Sequence, residues 1–194
     1  MTIEEFLGYV EERPDGEKWE LIEGIAVLSP TPTDFHQFIV ANLILGLGNW
    51  KLQRTAPWFV LPGVGTRVPA SPRSLPAPDV MVKERAGTGS HVSDEALVLF
   101  EVLSPSNKKA DRDWRLSVYR SVLNCQHYVT IAQNRVHVLR HDRDNDWKPV
   151  KLGGLDEAVA LPALGDVTIP LADIYRWTGV TNDQPRGSRG RKPG

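Results

Sequence analysis

The sequence predicts an α/β fold in which a mixed β-sheet is flanked by helices. Three short apolar runs, at residues 79–83, 97–103 and 128–131, have the length and composition of buried strands. A helical stretch over residues 107–124 separates the second run from the third. This order of strand, strand, helix and strand is typical of a sheet in which the helix forms a right-handed crossover.

The N-terminal residues predict one helix and one pair of strands. Residues 2–12 have the pattern of an amphipathic helix that begins at Thr2. Residues 19–28 have the composition of strands, and Glu23 and Gly24 interrupt them. We therefore expect a hairpin or a bulge at these two residues.

A long helix is the most strongly patterned element of the chain. Apolar side chains recur at helical spacing from residue 35 to about residue 53, and Asp34 is the predicted N-cap, with Gln37 in the capping-box position. Short strands are expected at residues 58–61 and 65–68, before a proline-rich loop.

The C-terminal half predicts fewer elements. Ser106 is the expected N-cap of the helix over residues 107–124, and alternation of polar and apolar residues predicts a half-exposed strand over residues 135–140. We expect one domain over residues 1–180, followed by a basic, disordered tail over residues 181–194.

Composition limits the classes of function. The chain has 194 residues, 41% of them apolar, which suits one domain with a buried core. Its 23 Lys and Arg against 24 Asp and Glu leave a formal net charge of −1, so any contact with nucleic acid requires a local basic patch. A single cysteine, Cys125, excludes an internal disulfide. With no apolar run long enough to span a membrane and no signal peptide, the expected location is the cytoplasm.

Two carboxylates indicate a possible metal-binding site. Glu101 is the only charged residue of its apolar run, and burying an ionised Glu without a partner would cost several kcal/mol, about 3–5. Asp79 begins the neighbouring run, and Pro78 before it holds the chain extended. Two carboxylates on adjacent strands would make an oxygen-ligand site for Mg²⁺ or Mn²⁺. The residues alone leave other interpretations open: Asp79 could be a turn residue at a strand end, and Glu101 could be an edge residue or the partner of Arg115.

An ordered set of motifs resembles the Uma-two family of restriction-endonuclease-like proteins. The resemblance covers about residues 1–180. It is carried by Glu20-Leu21-Ile22-Glu23-Gly24, Ser29-Pro30, His36, Leu75-Pro76-Ala77-Pro78-Asp79-Val80, Glu101-Val102-Leu103-Ser104-Pro105-Ser106, Asp111, Arg115 and Tyr119.

The resemblance implies a member of the PD-(D/E)XK phosphodiesterases, with a restriction-endonuclease-like mixed sheet and hydrolysis of DNA that depends on Mg²⁺ or Mn²⁺. It implies that Asp79 and Glu101 bind the metal and that Glu20 is a further acid near the site. A homodimer is a further expectation.

The lysine of the generic motif is missing. Leu103 stands where that motif has Lys, and Arg115 stands where the family usually places a Lys on the following helix. Arg cannot act as a general base, although it can hold a phosphate. Lys83 is a second candidate, because alternation along the strand puts it on the same face as Asp79. Asp111 lies four residues before Arg115, so the two share a helix face.

Two further features of the sequence have more than one interpretation. His36 is an accessory candidate in the first turn of the long helix, although a lone helical His is more often a surface or packing residue. The densest basic patch is either a solvated helix face or a DNA contact, and it consists of Lys108, Lys109, Arg112, Arg115 and Arg120. The alternatives to an enzyme are a catalytically lapsed relative that binds nucleic acid or protein, and a homodimeric scaffold.

Overall fold

The computed structural model describes residues 1–105 and 107–182. Within them lie four α-helices: α1 (Ile3–Glu11), α2 (Asp34–Arg54), α3 (Lys109–Tyr119) and α4 (Leu171–Ile174). The strands are β1 (Trp19–Ile22), β2 (Ile25–Leu28), β3 (Phe59–Pro62), β4 (Gly65–Thr66), β5 (Val80–Lys83), β6 (Val92–Ser93), β7 (Val98–Leu103), β8 (His127–Ala132), β9 (Val138–Asp142), β10 (Pro149–Leu152), β11 (Ala158–Leu161) and β12 (Val167–Pro170).

The central element is a six-stranded mixed sheet. Its strand order is β10-β9-β8-β7-β5-β3. Strands β7 and β8 are parallel and α3 connects them, whereas the other neighbouring pairs are antiparallel. Strands β1 and β2 form a separate hairpin through Glu23 and Gly24, which both have positive φ. The α/β fold with a central mixed sheet and flanking helices is confirmed.

Side chains along the central strands point alternately to the two faces of the sheet, so the core has two layers. Val80, Val82 and Phe100 belong to the layer that includes α2 and the C-terminal strands. Met81 and Leu99 belong to the layer under α3. Because successive side chains of a strand point to opposite faces, the next residue on this second face of β7 is Glu101. The sheet therefore presents Glu101 toward α3.

The start of α2 differs from the sequence prediction. The N-cap is Thr33, not Asp34, because Thr33 has extended backbone angles and its hydroxyl accepts a hydrogen bond from His36 N at 3.2 Å. Asp34 is the first helical residue, and its carboxylate accepts a bond from Phe35 N. The expected start of α1 is confirmed, with reciprocal capping between Thr2 and Glu5.

Two other elements have bounds that differ from the predicted ones. Helix α3 ends at Tyr119, after which turns bring Val122 and Cys125 into the core, and the N-cap is Lys108. Ser106, the expected cap, lies outside the described residues. Strand β9 begins at Val138 rather than residue 135. The expected basic tail also lies outside the described residues, apart from residues 181 and 182. Within the described part of the chain, no helix is long and apolar enough to cross a membrane.

Candidate metal centre

An open cavity of about 490 Å³ lies where the end of β7 meets the β1–β2 hairpin and the N-terminal parts of α2 and α3. We call it the main cavity. Its lining includes six of the seven residues that the sequence singled out: Glu20, His36, Asp79, Glu101, Asp111 and Arg115.

Asp79 is fixed by backbone contacts to β7. It immediately precedes β5, its N–H donates to Phe100 O at 3.0 Å, and its Oδ2 accepts a bond from Val102 N at 2.8 Å. Because Phe100 and Val102 flank Glu101, these two bonds set the Asp79 carboxylate beside Glu101. The two acids therefore come from neighbouring strands of one sheet.

Two cationic or protonatable side chains contact Asp79. Lys18 Nζ lies 2.9 Å from Oδ1, and His36 Nε2 lies 3.2 Å from Oδ2. Burial alone would raise the pKa of Asp79, but the hydrogen bond from His36 and the charge of Lys18 outweigh burial and hold this pKa well below its usual range. Asp79 is therefore a permanent carboxylate at neutral pH.

Glu101 has the opposite electrostatic character. Its Oε1 accepts bonds from Arg115 Nη1 and from the Tyr119 hydroxyl, each at 2.9 Å. Burial raises the pKa of Glu101 to about 7, because the charge of Arg115 only partly offsets burial and Asp79 and Glu20 repel a second negative charge. Within the described residues, both contacts of this carboxylate are to Oε1, and Oε2 accepts no hydrogen bond.

Glu20 holds the hairpin against the segment that leads to Asp79. Its Oε1 accepts a bond from Ala77 N at 2.7 Å, two residues before Asp79. The backbones of Leu21 and Leu75 also pair, through bonds of 2.8 and 3.4 Å. Arg115 outweighs the effect of burial and lowers the pKa of Glu20. Glu20 is thus an ionised carboxylate whose oxygens are occupied by protein donors.

Arg115 joins the two buried acids. Its Nη1 and Nη2 lie 3.1 and 2.7 Å from the two oxygens of Glu20, and Nη1 also contacts Glu101. Burial opposes the charge of the guanidinium, but Glu101, Tyr119 and Glu20 together raise the pKa of Arg115 above its ordinary value. The structure therefore contains the pair of Glu101 and Arg115, which was one of the interpretations that the sequence left open. We refer to Glu20, Arg115 and Glu101 as the arginine bridge.

Lys18 is the site residue that the sequence reading missed. Burial lowers its pKa, but Asp79 and the other carboxylates outweigh burial, so the net shift is upward and the ammonium is charged. A signal existed: Lys18 lies two residues before Glu20, and residues two apart along an extended chain point to the same face. Its side chain is 42% exposed, so it can also reach a ligand in the main cavity.

Lys83 and Asp111 stand apart from this group. Lys83 is four residues from Asp79, about 13 Å along an extended strand, and its ammonium contacts Ser93 Oγ at 3.4 Å. It does not line the main cavity. Asp111 lines that cavity but is exposed. Within the described residues, its carboxylate makes no ion pair or hydrogen bond with Arg115.

The donor set fits a hard divalent cation of modest ligand demand. Within the described residues no three His, Cys, Asp or Glu side chains form a ready-made metal cage. Mg²⁺ usually binds through about one or two carboxylates and completes its shell with water and substrate oxygens. Glu101 Oε2 and the Asp79 Oδ1 that Lys18 now contacts are the oxygens available for that purpose.

The raised pKa of Glu101 predicts a specific pH dependence of stability. A carboxyl whose pKa rises from 4.5 to about 7 on folding binds its proton more tightly in the native state, so stability falls as pH rises through that window. Glu101→Gln removes this titration. We expect the free energy of unfolding of the variant, measured by urea denaturation relative to that of the parent, to rise by about 3 kcal/mol as pH is raised from 4 to 8. A variant that instead loses stability relative to the parent as pH rises would show that the ion pair with Arg115 outweighs burial.

The arginine bridge predicts strong coupling between its members. Arg115→Met would leave two buried carboxylates without their counter-ion, and we expect a loss of about 3–5 kcal/mol in the free energy of unfolding at pH 8. Adding Glu20→Gln should recover part of that loss, because one of the stranded charges disappears. Arg112→Met, on the same helix but with no ion pair among the described residues, is the matched control and should change stability little. Additive effects of Arg115→Met and Glu20→Gln would contradict the bridge.

Comparisons with known proteins agree with this geometry. A crystal structure described as that of "a putative nuclease belonging to DUF820 from Anabaena variabilis" matches with a TM-score of 0.73 and 17% identity, over 92% of this chain and 99% of that chain. At this identity the likeness establishes the fold alone. No curated protein matches the sequence. The family model Uma2, described as "Putative restriction endonuclease", matches residues 3–172. The chain therefore belongs to the Uma2 family of restriction-endonuclease-like proteins.

Proposed function

We propose that the protein is an endonuclease that hydrolyses DNA phosphodiester bonds with Mg²⁺ or Mn²⁺ held by Asp79 and Glu101. One observation carries the proposal: two carboxylates from adjacent strands meet in an open cavity beside a half-exposed ammonium, Lys18. Membership of the family supports the reaction class. The single cysteine, Cys125, is free and buried, as is usual for proteins of a reducing compartment, and we propose a cytosolic location.

The two acids have different roles in binding the metal. Asp79 is ionised without any ligand, so it attracts the cation first. Glu101, with a pKa of about 7, gives up its proton readily when a second positive charge arrives and offers the oxygen Oε2. The ion, when bound, would activate a water molecule and neutralise charge on the phosphate.

The cationic residues have different tasks. The ammonium of Lys18 is exposed enough to leave Asp79 and contact the scissile phosphate, where it stabilises the negative charge that develops. Arg115 keeps its charge on the arginine bridge and positions Glu101. Glu20 holds Arg115 and the chain before Asp79, so it acts as a positioning residue. His36 orients the Asp79 carboxylate through its bond to Oδ2.

Basic residues beside the main cavity support DNA as the substrate. Lys108, Lys109 and Arg112 lie at the N-terminal end of α3, and Arg112 lines the cavity. Arg120 lies at the opposite end of the helix and is separate from this group. Because the whole chain has a formal net charge of only −1, such a local group is what phosphate contacts require.

A second candidate function is a lapsed nuclease fold that binds nucleic acid or a protein and cuts nothing. It is favoured by the arginine bridge, since Arg115 neutralises Glu20 and Glu101 without any metal. It is also favoured by the Arg at the position where the family usually has Lys. The two functions differ in whether Mn²⁺ binds and in whether DNA is cut.

Plasmid nicking tests the enzyme directly. We expect Mn²⁺ to raise the melting temperature of the parent and to support nicking, because a ligand of the native state stabilises it. Asp79→Asn should abolish both effects, and Lys18→Ala should slow nicking by about 100-fold while keeping the Mn²⁺ shift. Lys83→Ala is the matched lysine control outside the cavity and should nick like the parent. DNA binding with neither a Mn²⁺ shift nor nicking would favour the lapsed form.

We also propose that the protein acts as a homodimer through the outer face of α2. Phe38, Leu45 and Leu52 recur every seven residues on this face and are 37%, 52% and 79% exposed, and Ala41 is exposed between them. We call these four residues the outer stripe. A row of exposed apolar side chains on one face of a helix marks an interaction surface. The buried face of α2 packs on the core, so its outer stripe is the side left for a partner.

A second copy of the chain suits the outer stripe. The stripe carries no charge, so two copies can meet without bringing like charges together. Its large side chains are symmetric about Leu45, so an antiparallel pair places Phe38 of each copy against Leu52 of the other. Antiparallel helix dipoles also favour this orientation.

Engineered cysteines test the pairing. Leu45 would lie at the two-fold axis, so Leu45→Cys should form an intermolecular disulfide under oxidising conditions. Leu52→Cys should not, because the two copies of residue 52 would be about 21 Å apart along the axis. A mixture of Phe38→Cys and Leu52→Cys should form the mixed disulfide. Burial raises the pKa of the native Cys125 thiol to about 12, so it does not compete. Disulfides at all three positions would indicate a parallel pair, and a monomer in light scattering would refute the dimer.

A further inference from the structure

Gln133 is a buried amide in the wall of the main cavity. It directly follows β8, its residue is 5% exposed, and it belongs to the lining of the cavity. Its backbone N–H donates to Leu103 O at 3.3 Å, which holds it at the end of the parallel pair β7 and β8. Polar atoms of side chains buried to this extent are normally paired. An amide atom of Gln133 without a protein partner therefore indicates a ligand.

The two polar atoms of the Gln133 amide have different surroundings. Oε1 accepts a hydrogen bond from the Thr33 hydroxyl, which itself accepts one from His36 N at 3.2 Å. Nε2 donates no hydrogen bond to any described residue. Among the described residues, the unpaired side-chain atoms that are completely enclosed are His36 Nδ1 and the Tyr128 hydroxyl oxygen, so Gln133 Nε2 is not one of them. The amide nitrogen is therefore open to solvent, on the side of the main cavity that Gln133 lines.

The contact with Thr33 fixes the direction of the amide. Because the hydroxyl hydrogen of Thr33 is donated to Oε1, the NH₂ group of Gln133 points away from this hydroxyl. The first turn of α2 also holds Asp79, through His36 Nε2 at 3.2 Å from Oδ2. A continuous series of contacts thus connects the end of β8 with the proposed metal ligand. The amide donor is positioned relative to Asp79 before any substrate binds.

Gln133 lies beyond the two acids along the strand direction. Glu101 pairs with Thr130 in the parallel register of β7 and β8, and Gln133 is three residues further along, about 10 Å at strand spacing. A phosphate held beside Asp79 and Glu101 would therefore leave the space next to Gln133 to the adjoining part of the strand.

We propose that Gln133 is a DNA-contacting residue whose amide NH₂ donates a hydrogen bond to a backbone phosphate oxygen next to the scissile phosphate. This inference rests on the proposed function, because the two acids must take the scissile phosphate. Gln side chains are common donors to phosphate oxygens. Because the amide is neutral, the contact adds a hydrogen bond without neutralising a phosphate charge, and this separates it from a contact by Lys or Arg.

Binding of a fluorescent DNA oligonucleotide without metal tests Gln133 independently of cleavage. Gln133→Leu removes the donor without adding charge, so it should bind DNA about tenfold more weakly, with an unchanged salt dependence. Arg112→Gln should instead reduce the salt slope by about one. Gln126→Leu is the matched control, because Gln126 precedes β8, lies outside the main cavity and donates to Asn124 O. It should bind DNA like the parent.

Gln133→Glu separates the contact with DNA from the contact with Thr33. The new carboxylate can still accept a bond from the Thr33 hydroxyl, so the melting temperature should stay near that of the parent, but the donor is lost. Gln37→Glu adds the same charge on an exposed side chain of the same cavity. We expect Gln133→Glu to weaken DNA binding about fivefold more than Gln37→Glu does. Equal losses would show that repulsion alone acts, and would overturn the proposal.

The remaining outcomes distinguish this contact from the proposed function. Equal DNA affinity of the parent and of Gln133→Leu would overturn the contact and leave the proposed function intact. A loss seen with only one of two oligonucleotides of different sequence would also overturn it, because a phosphate contact does not depend on the base. A parent that binds no DNA even at low salt would overturn the proposed function, and the contact with it.

Discussion

The bidentate contact between Arg115 and Glu20, extended to Glu101, is the interaction on which the site depends. It connects three parts of the chain that are far apart in sequence: the N-terminal hairpin, the central strand β7 and helix α3. Each carboxylate is almost fully buried, and each would be costly without the guanidinium. The bridge therefore fixes the position of the hairpin, and the hairpin brings Lys18 to the edge of the main cavity.

The same bridge limits which side chains of the site could ligate a metal. Glu20 gives its oxygens to Arg115 and to the backbone, so it is withdrawn from direct ligation. Asp79 is held by Lys18, whose half-exposed side chain can be displaced more easily than a buried guanidinium. The site thus has a rigid inner part, in which Arg115 holds Glu20 and Glu101, and an outer part, in which another cation could replace Lys18 beside Asp79. This division explains how the protein keeps three clustered acids without a metal, and it leaves Asp79 as the acid that would take a cation in the function that we propose.

Several features of the site could be read from the sequence because they depend on local pattern. An isolated Glu in an apolar strand is conspicuous, and the Pro78-Asp79 step at the start of the next strand marks the second acid. Lys83 shows the limit of that reasoning. Strand alternation puts it on one face with Asp79, but alternation does not specify distance: Asp79 immediately precedes β5, and Lys83 is the last residue of β5. Lys18 was overlooked because its relation to Asp79 spans 61 residues and depends on how the hairpin docks.

The sequence by itself determined the order of the central strands and helices up to β9, the long α2 helix and the family, and it singled out the two acids as candidates, because these follow from periodicity and from motifs of a few residues. Tertiary structure decided the helix boundaries and the partners of the acids. Helix α3 ends at Tyr119 because the following residues are needed in the core, and α2 begins one residue earlier because the Thr33 hydroxyl reaches His36 N. Arg115 became the counter-ion of both Glu20 and Glu101 because packing of α3 on the sheet places one guanidinium between two buried charges. Sequence pattern alone leaves that three-body geometry undetermined.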